Sequence, residues 1–164
     1  MGRGNRGDGG KALREAAGDP EAFARCSRRL ERAIDSSCDA ARPWAEGVAA
    51  AIVAGLRFAE AEPVAARVVV VHSAFRRYGA AAGFAVLVDE LAARLGDGAP
   101  PVPHPERTAH NVVLRVMRQT LLQLELGGEG PTAIAAELVV YALTPYLGLR
   151  EAQRWAAAVT GELE

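Results

Sequence analysis

Few residues in this chain are equipped for chemistry. The histidines are His72, His104 and His110, and the cysteines are Cys26 and Cys38. A zinc site needs several such groups at close spacing, as in HExxH or paired CxxC motifs. His104 and His110 are separated by a proline and have no cysteine beside them, and Cys26 and Cys38 stand twelve positions apart, off a common helical face. No metal site is expected. The thiols read as small buried or half-buried groups in a reducing compartment. No GxSxG is present, and no serine or cysteine sits in a glycine-rich turn that would present a nucleophile. Gly127-Gly128-Glu129-Gly130 lacks the lysine of a phosphate-binding loop and reads as a helix–helix turn. The carboxylates fall on polar faces beside arginines. The expectation is a protein that is not an enzyme and carries no cofactor.

Composition agrees with a role in association or sensing. Half of the 164 residues are apolar but only 5% are aromatic, and much of the apolar content is alanine. Alanine forms helices readily and fills little volume, so the chain reads as all-α, a bundle of six to seven packed helices. The net charge of −1 provides no field that would gather nucleic acid or an acidic membrane. No apolar run reaches the roughly 18 residues of a membrane span, and the start lacks the apolar core of a secretion signal. A soluble, cytoplasmic protein with no membrane partner is expected.

The elements that must position any site follow from punctuation and periodicity. Residues 1–17 begin as a glycine- and arginine-rich tail expected to be disordered, and residues 18–164 form the helical domain. Asp19-Pro20-Glu21 is a helix start, with the helix expected to run to about Ala41 on a stripe of Ala22, Cys26, Leu30, Ala33 and Ile34. Arg25, Arg28, Arg29 and Arg32 make its solvated face. A second helix spans about Pro43 to Ala61 and stops at Glu62-Pro63, because the residue before proline avoids the α region. A third begins at Pro63. Its run Val68 to Val71 favours a strand locally, but a lone strand has no pairing partner, so helix is expected. Phe84 to Leu95 is the fourth helix, closed by Gly96-Asp97-Gly98. Pro100 to Pro105 is a stiff connector.

The last third carries the largest apolar surplus. The fifth helix, Glu106 to Leu126, bears a stripe of His110, Val113, Leu114, Met117, Leu121 and Leu124. The sixth, from Pro131, bears Ile134, Leu138, Tyr141 and Ala142, with Val139, Val140 and Leu143 behind. Pro145 should kink or end it, and a short last helix carries Trp155. Helices this apolar must bury more than one face. One side of the hairpin is expected to pack on its own domain and the other on a twofold mate, as a four-helix bundle. Leu114, Leu121, Leu124, Leu138 and Tyr141 are the expected homodimer contacts.

From about Gly18 to Ala158 the chain resembles the C-terminal sensing and dimerisation domain of TetR-type transcriptional regulators. The resemblance rests on Gly18-Asp19-Pro20-Glu21-Ala22-Phe23, on Trp44 opening a helix that ends in Ala61-Glu62-Pro63, on Ala65-Ala66-Arg67, and on Leu143 to Gly148 with Glu151-Ala152. It implies a small apolar effector held among the middle helices, with binding coupled to a shift of the first helix. Stripe position places Phe58, His72, Phe75, His110 and Met117 in that cavity. On its residue type and position alone, His72 reads first as a core histidine bonded to a carbonyl or hydroxyl, and second as a polar group lining a cavity. Family members carry a helix-turn-helix ahead of this region. Here a glycine-rich stretch stands there, so DNA is an expected partner only if that element is supplied elsewhere. The alternative expectation is a stand-alone helical module that pairs with full-length regulators.

Overall fold

A computed structural model describes residues 19–37, 42–71, 81–127 and 130–161, apart from the side chains of 71, 81, 82 and 159–161. The tail expected at residues 1–17 lies outside the described residues. The described residues form seven α-helices and one 3-10 turn, with no strand among them.

Helix α1, Pro20–Asp35, starts where the Asp19 carboxylate accepts the Glu21 N–H at 2.9 Å. It stops at Asp35, short of the expected Ala41. The Ser36 and Ser37 hydroxyls donate back to the carbonyls of Ala33 and Ile34 at 2.8 and 2.6 Å. Such local bonds compete with continuation of the helix. Helix α2, Trp44–Ala61, ends at Glu62, and α3, Pro63–Val71, begins at once. The valines of α3 are helical because Val68, Val69 and Val70 are buried in the core. Packing outweighs a propensity difference of a few tenths of a kcal/mol per residue. Helix α4, Ala81–Gly96, is followed by the proline connector and α5, Pro105–Leu126.

Gly127 takes a left-handed φ of 63° and its N–H bonds the Gln123 carbonyl at 3.2 Å, which closes α5. The expected sixth helix opens as a 3-10 turn, Pro131–Ile134, and continues as α6, Ala135–Leu147. Pro145 sits in its final turn. Gly148, at φ 77°, turns the chain into α7, Leu149–Gly161.

Helix α2 is the axis of the domain. It packs against α1, α3, α5, α6, α7 and the 3-10 turn. Its Leu56 and, around it, Val69, Leu87, Leu138, Val139 and Leu143 are fully enclosed. The most extensively packed pair is α6 with α7, whereas α5 packs chiefly on α4 and touches α6 less. The hairpin expected between α5 and α6 is therefore a looser pair than α6 with α7. A smaller apolar cluster of Phe58, Ala59, Ala65, Ala66 and Leu124 closes the end of α2 remote from Trp44.

Candidate functional site: an apolar cavity along the central helix

Every fourth residue on one face of α2 is small: Gly47, Ala51, Gly55 and Ala59. Residues four apart on a helix stack along one side. All four line a cavity of about 460 Å³. A methyl group built on Gly47 would meet no heavy atom within 4 Å, and one on Gly55 would meet only Leu30 Cδ1 at 3.9 Å. The facing walls are short as well, with Val69 and Val70 of α3 and Val112, Val113 and Val116 of α5. Side chains this short cannot span the gap between helices, so the gap stays open. Leu30 and Ile34 of α1 and Leu91 and Leu95 of α4 complete the apolar wall.

Charge is confined to one end of the cavity. Asp35 at the end of α1, Arg42, and Arg94 and Asp97 near the end of α4 line it beside Trp44. Arg94 is paired with Asp35 at 2.5 Å, and Arg42 with Glu46 at 3.6 Å. The Trp44 indole N–H donates to the Leu95 carbonyl at 2.9 Å and ties the start of α2 to the end of α4. Its ring meets that of Tyr146, centroids 4.9 Å apart and planes tilted by 60°. Burial pushes the Tyr146 hydroxyl up from its ordinary pKa, and that hydroxyl has no partner among the described residues.

Among the lining residues outside the charged group is Thr120, whose hydroxyl donates to the Val116 carbonyl of its own helix at 2.9 Å. The Trp44 N–H at the charged end and the Thr120 O–H are thus both already used within the protein. The lining offers an apolar solute contact on nearly all sides and offers little to a multiply polar one.

The expected ligand contacts divide. Phe58 and Met117 line the cavity and are buried. His110 does not line it. Its ring bonds the Glu106 carbonyl and the Asp89 carboxylate at the α4–α5 surface, which satisfies both nitrogens outside the cavity. His72 and Phe75 lie outside the described residues.

The expected dimer contacts divide too. Leu114 and Tyr141 are 41% exposed each, and Leu121 is half-buried. Leu138 is 1% exposed in the principal core, and Leu124 packs with Phe58 and Ala66 in the smaller cluster. Neither is available to a second chain, because each is consumed by its own domain. Arg115 lies over the Tyr141 ring, 5.7 Å from its centroid, so the outer surfaces of α5 and α6 adjoin.

Two features escaped the periodicity reading. The small-residue stripe of α2 was visible as spacing but signified packing as readily as a cavity. Thr120 falls off the stripe assigned to α5, because that helix is turned so that Ala109, Val112 and Thr120 also face inward.

The remaining reactive groups do not converge. Among the described residues no cluster of three or more histidine, cysteine, aspartate or glutamate side chains is placed to hold a metal. Burial pushes the half-buried Cys26 thiol up despite Arg29 and Arg25 nearby, so it is a protonated thiol at neutral pH. No described helix is long and apolar enough to cross a membrane. No protein-family model, curated protein or solved structure matches the chain.

Proposed function

We propose that this chain is a TetR-like ligand-sensing domain that binds a small apolar effector and pairs with a second copy of itself. The observation that carries the reading is the apolar cavity along α2. Its charged end is formed by α1 and α4, the elements that an occupant would push apart or draw together. Binding that favours one arrangement of α1 over another is all that sensing requires. The chain's own part in regulation is then recognition and pairing, with DNA reading assigned to a helix-turn-helix supplied elsewhere.

Pairing rests on the outer surfaces of α5 and α6, where Leu114, Leu122 and Tyr141 remain exposed. The same three residues favour the second reading, a helical module that pairs with full-length regulators. Light scattering of the purified chain separates the two. A dimer supports self-pairing, and a monomer that dimerises only with added regulator supports the module. Sensing is tested by calorimetric titration with medium-chain apolar compounds against the Ala51→Leu variant. Saturable binding that the variant loses supports it, and absence of binding removes it.

A further inference from the structure

Helices α1 and α4 meet along a seam whose two ends are built differently. At one end the buried Phe23 ring lies against Gly83, where an added Cβ would come within 3.1 Å of Phe23 Cε1. That is closer than carbon atoms ordinarily pack, so this contact is tight. At the other end Asp35 pairs with Arg94 at 2.5 Å. The two contacts advance along both helices together, so α1 and α4 run in the same direction. Between them the seam is unfavourable. Glu31 and Glu90 each lie one turn before the ion-paired residue of their own helix. Burial, and then the Glu90 carboxylate, raise the Glu31 pKa, and Arg94 and Arg28 offset this only in part. Ionised, the two carboxylates repel across the seam.

The last turns of α1 have little else to hold them. Leu30 and Ile34 line the cavity, and the stripe of α2 nearest Leu30 is glycine and alanine. Among the described residues, Asp35–Arg94 is the one side-chain hydrogen bond or ion pair from residues 30–37 to another element, because the Arg32, Ser36 and Ser37 side chains bond carbonyls of α1 itself. The preceding turn is better anchored, with Arg29 paired to Glu62 at 2.6 Å. The end of α4 is fixed separately, by the Trp44 bond to the Leu95 carbonyl.

Resting on the sensing reading above, we infer that the last turns of α1 form a latched flap on the cavity. The flap swings about the Phe23–Gly83 contact, the Asp35–Arg94 ion pair holds it shut, and an apolar occupant binds the shut arrangement. Opening withdraws Leu30 and Ile34 from the cavity wall. Occupant and ion pair thus stabilise the same state, and the Glu31–Glu90 repulsion opposes both.

The test is native-state hydrogen exchange read by mass spectrometry on the full chain, with decanol as the apolar probe and its Kd taken from calorimetric titration. In wild type, residues 30–37 should exchange faster than the core of α2 and without dependence on low urea, the mark of a local opening. Exposed ion pairs are worth little, so Asp35→Asn should speed that exchange only about two- to fivefold. Removing a negative charge from a helix C-terminus favours the helix, so faster exchange reports the lost ion pair. Arg94→Gln should match it, and the double variant should be no faster than either single one. Glu31→Gln should slow the exchange. Decanol at ten times its Kd should slow it about tenfold in wild type. Exchange at residues 30–37 that follows urea as steeply as α2, no acceleration in Asp35→Asn, faster exchange in Glu31→Gln, or bound decanol that leaves residues 30–37 unchanged overturns the flap while leaving the ligand site in place. Failure of decanol to bind wild type removes both.

Discussion

His110 is bonded through both ring nitrogens, with Nδ1 2.8 Å from the Glu106 carbonyl oxygen and Nε2 2.7 Å from Asp89 Oδ1. A carbonyl and an ionised carboxylate are both acceptors, so the geometry is fully satisfied only when the ring carries two protons. The Asp89 bond, then the Glu106 carbonyl, raise the pKa of His110 above its ordinary 6.5. A residue expected to face the ligand instead joins α4 to α5.

That arrangement sets a pH dependence. The folded-state pKa exceeds the unfolded one, so the bond stabilises fully below about pH 6.5 and is lost as pH rises through the folded value. The site is open to solvent, so the effect is small. Thermal melts across this range should show a wild-type advantage over Asp89→Asn on the acid side that fades on the alkaline side. A difference that grows with pH would contradict the assignment.

Glu31 on α1 behaves in the opposite sense. Burial, and then the Glu90 carboxylate across on α4, raise its pKa. An ionised Glu31 therefore opposes folding above its folded-state pKa, and this penalty vanishes below the ordinary 4.5. Glu31→Gln should raise the melting temperature at neutral pH and lose that advantage in acid. An equal gain at both pH values would point to helix propensity as the cause.

The two faces of the α5–α6 region should respond differently to substitution. Leu138 is enclosed in the core, and Leu138→Ala should cost about 2–5 kcal/mol in denaturant melts. Leu114 is exposed, and Leu114→Glu should leave the fold intact and shift light scattering from dimer to monomer. A dimer that survives Leu114→Glu would move the pairing surface elsewhere.

Helix ends marked by local chemistry were legible in the sequence: Asp19 before Pro20, Glu62 before Pro63, and Gly127 after Leu126. Each depends on a few neighbouring residues. The azimuth of an apolar helix was less legible. Leu138, Val139, Ala142 and Leu143 face inward on α6 while Tyr141 faces out. Periodicity on a helix apolar around most of its girth does not specify which third meets its own domain. The His110–Asp89 bond spans twenty-one positions and two helices, and nothing local announces it. The cavity is a property of six helices meeting around small residues. A run of glycine and alanine on α2 is compatible with either close packing or open space until the neighbours are placed.

Filling the cavity offers a direct handle on it. Ala51→Leu extends a side chain from the small-residue stripe into the space between α2 and α5. It should add about 0.5–2 kcal/mol of stability by restoring apolar contacts, and it should abolish ligand binding. A large loss of stability would mean that the space beside Ala51 is already occupied by packed side chains.

The central claim is that the cavity along α2 binds an apolar molecule. Scanning calorimetry with increasing decanol at fixed protein concentration measures this most directly. A ligand at 100 times its Kd adds about 2.7 kcal/mol to the folded state. For a domain of this size that is a rise in Tm of roughly 5–10 °C. The account predicts such a rise in wild type and none in Ala51→Leu. A Tm that does not move in wild type, or that moves equally in both proteins, would contradict it.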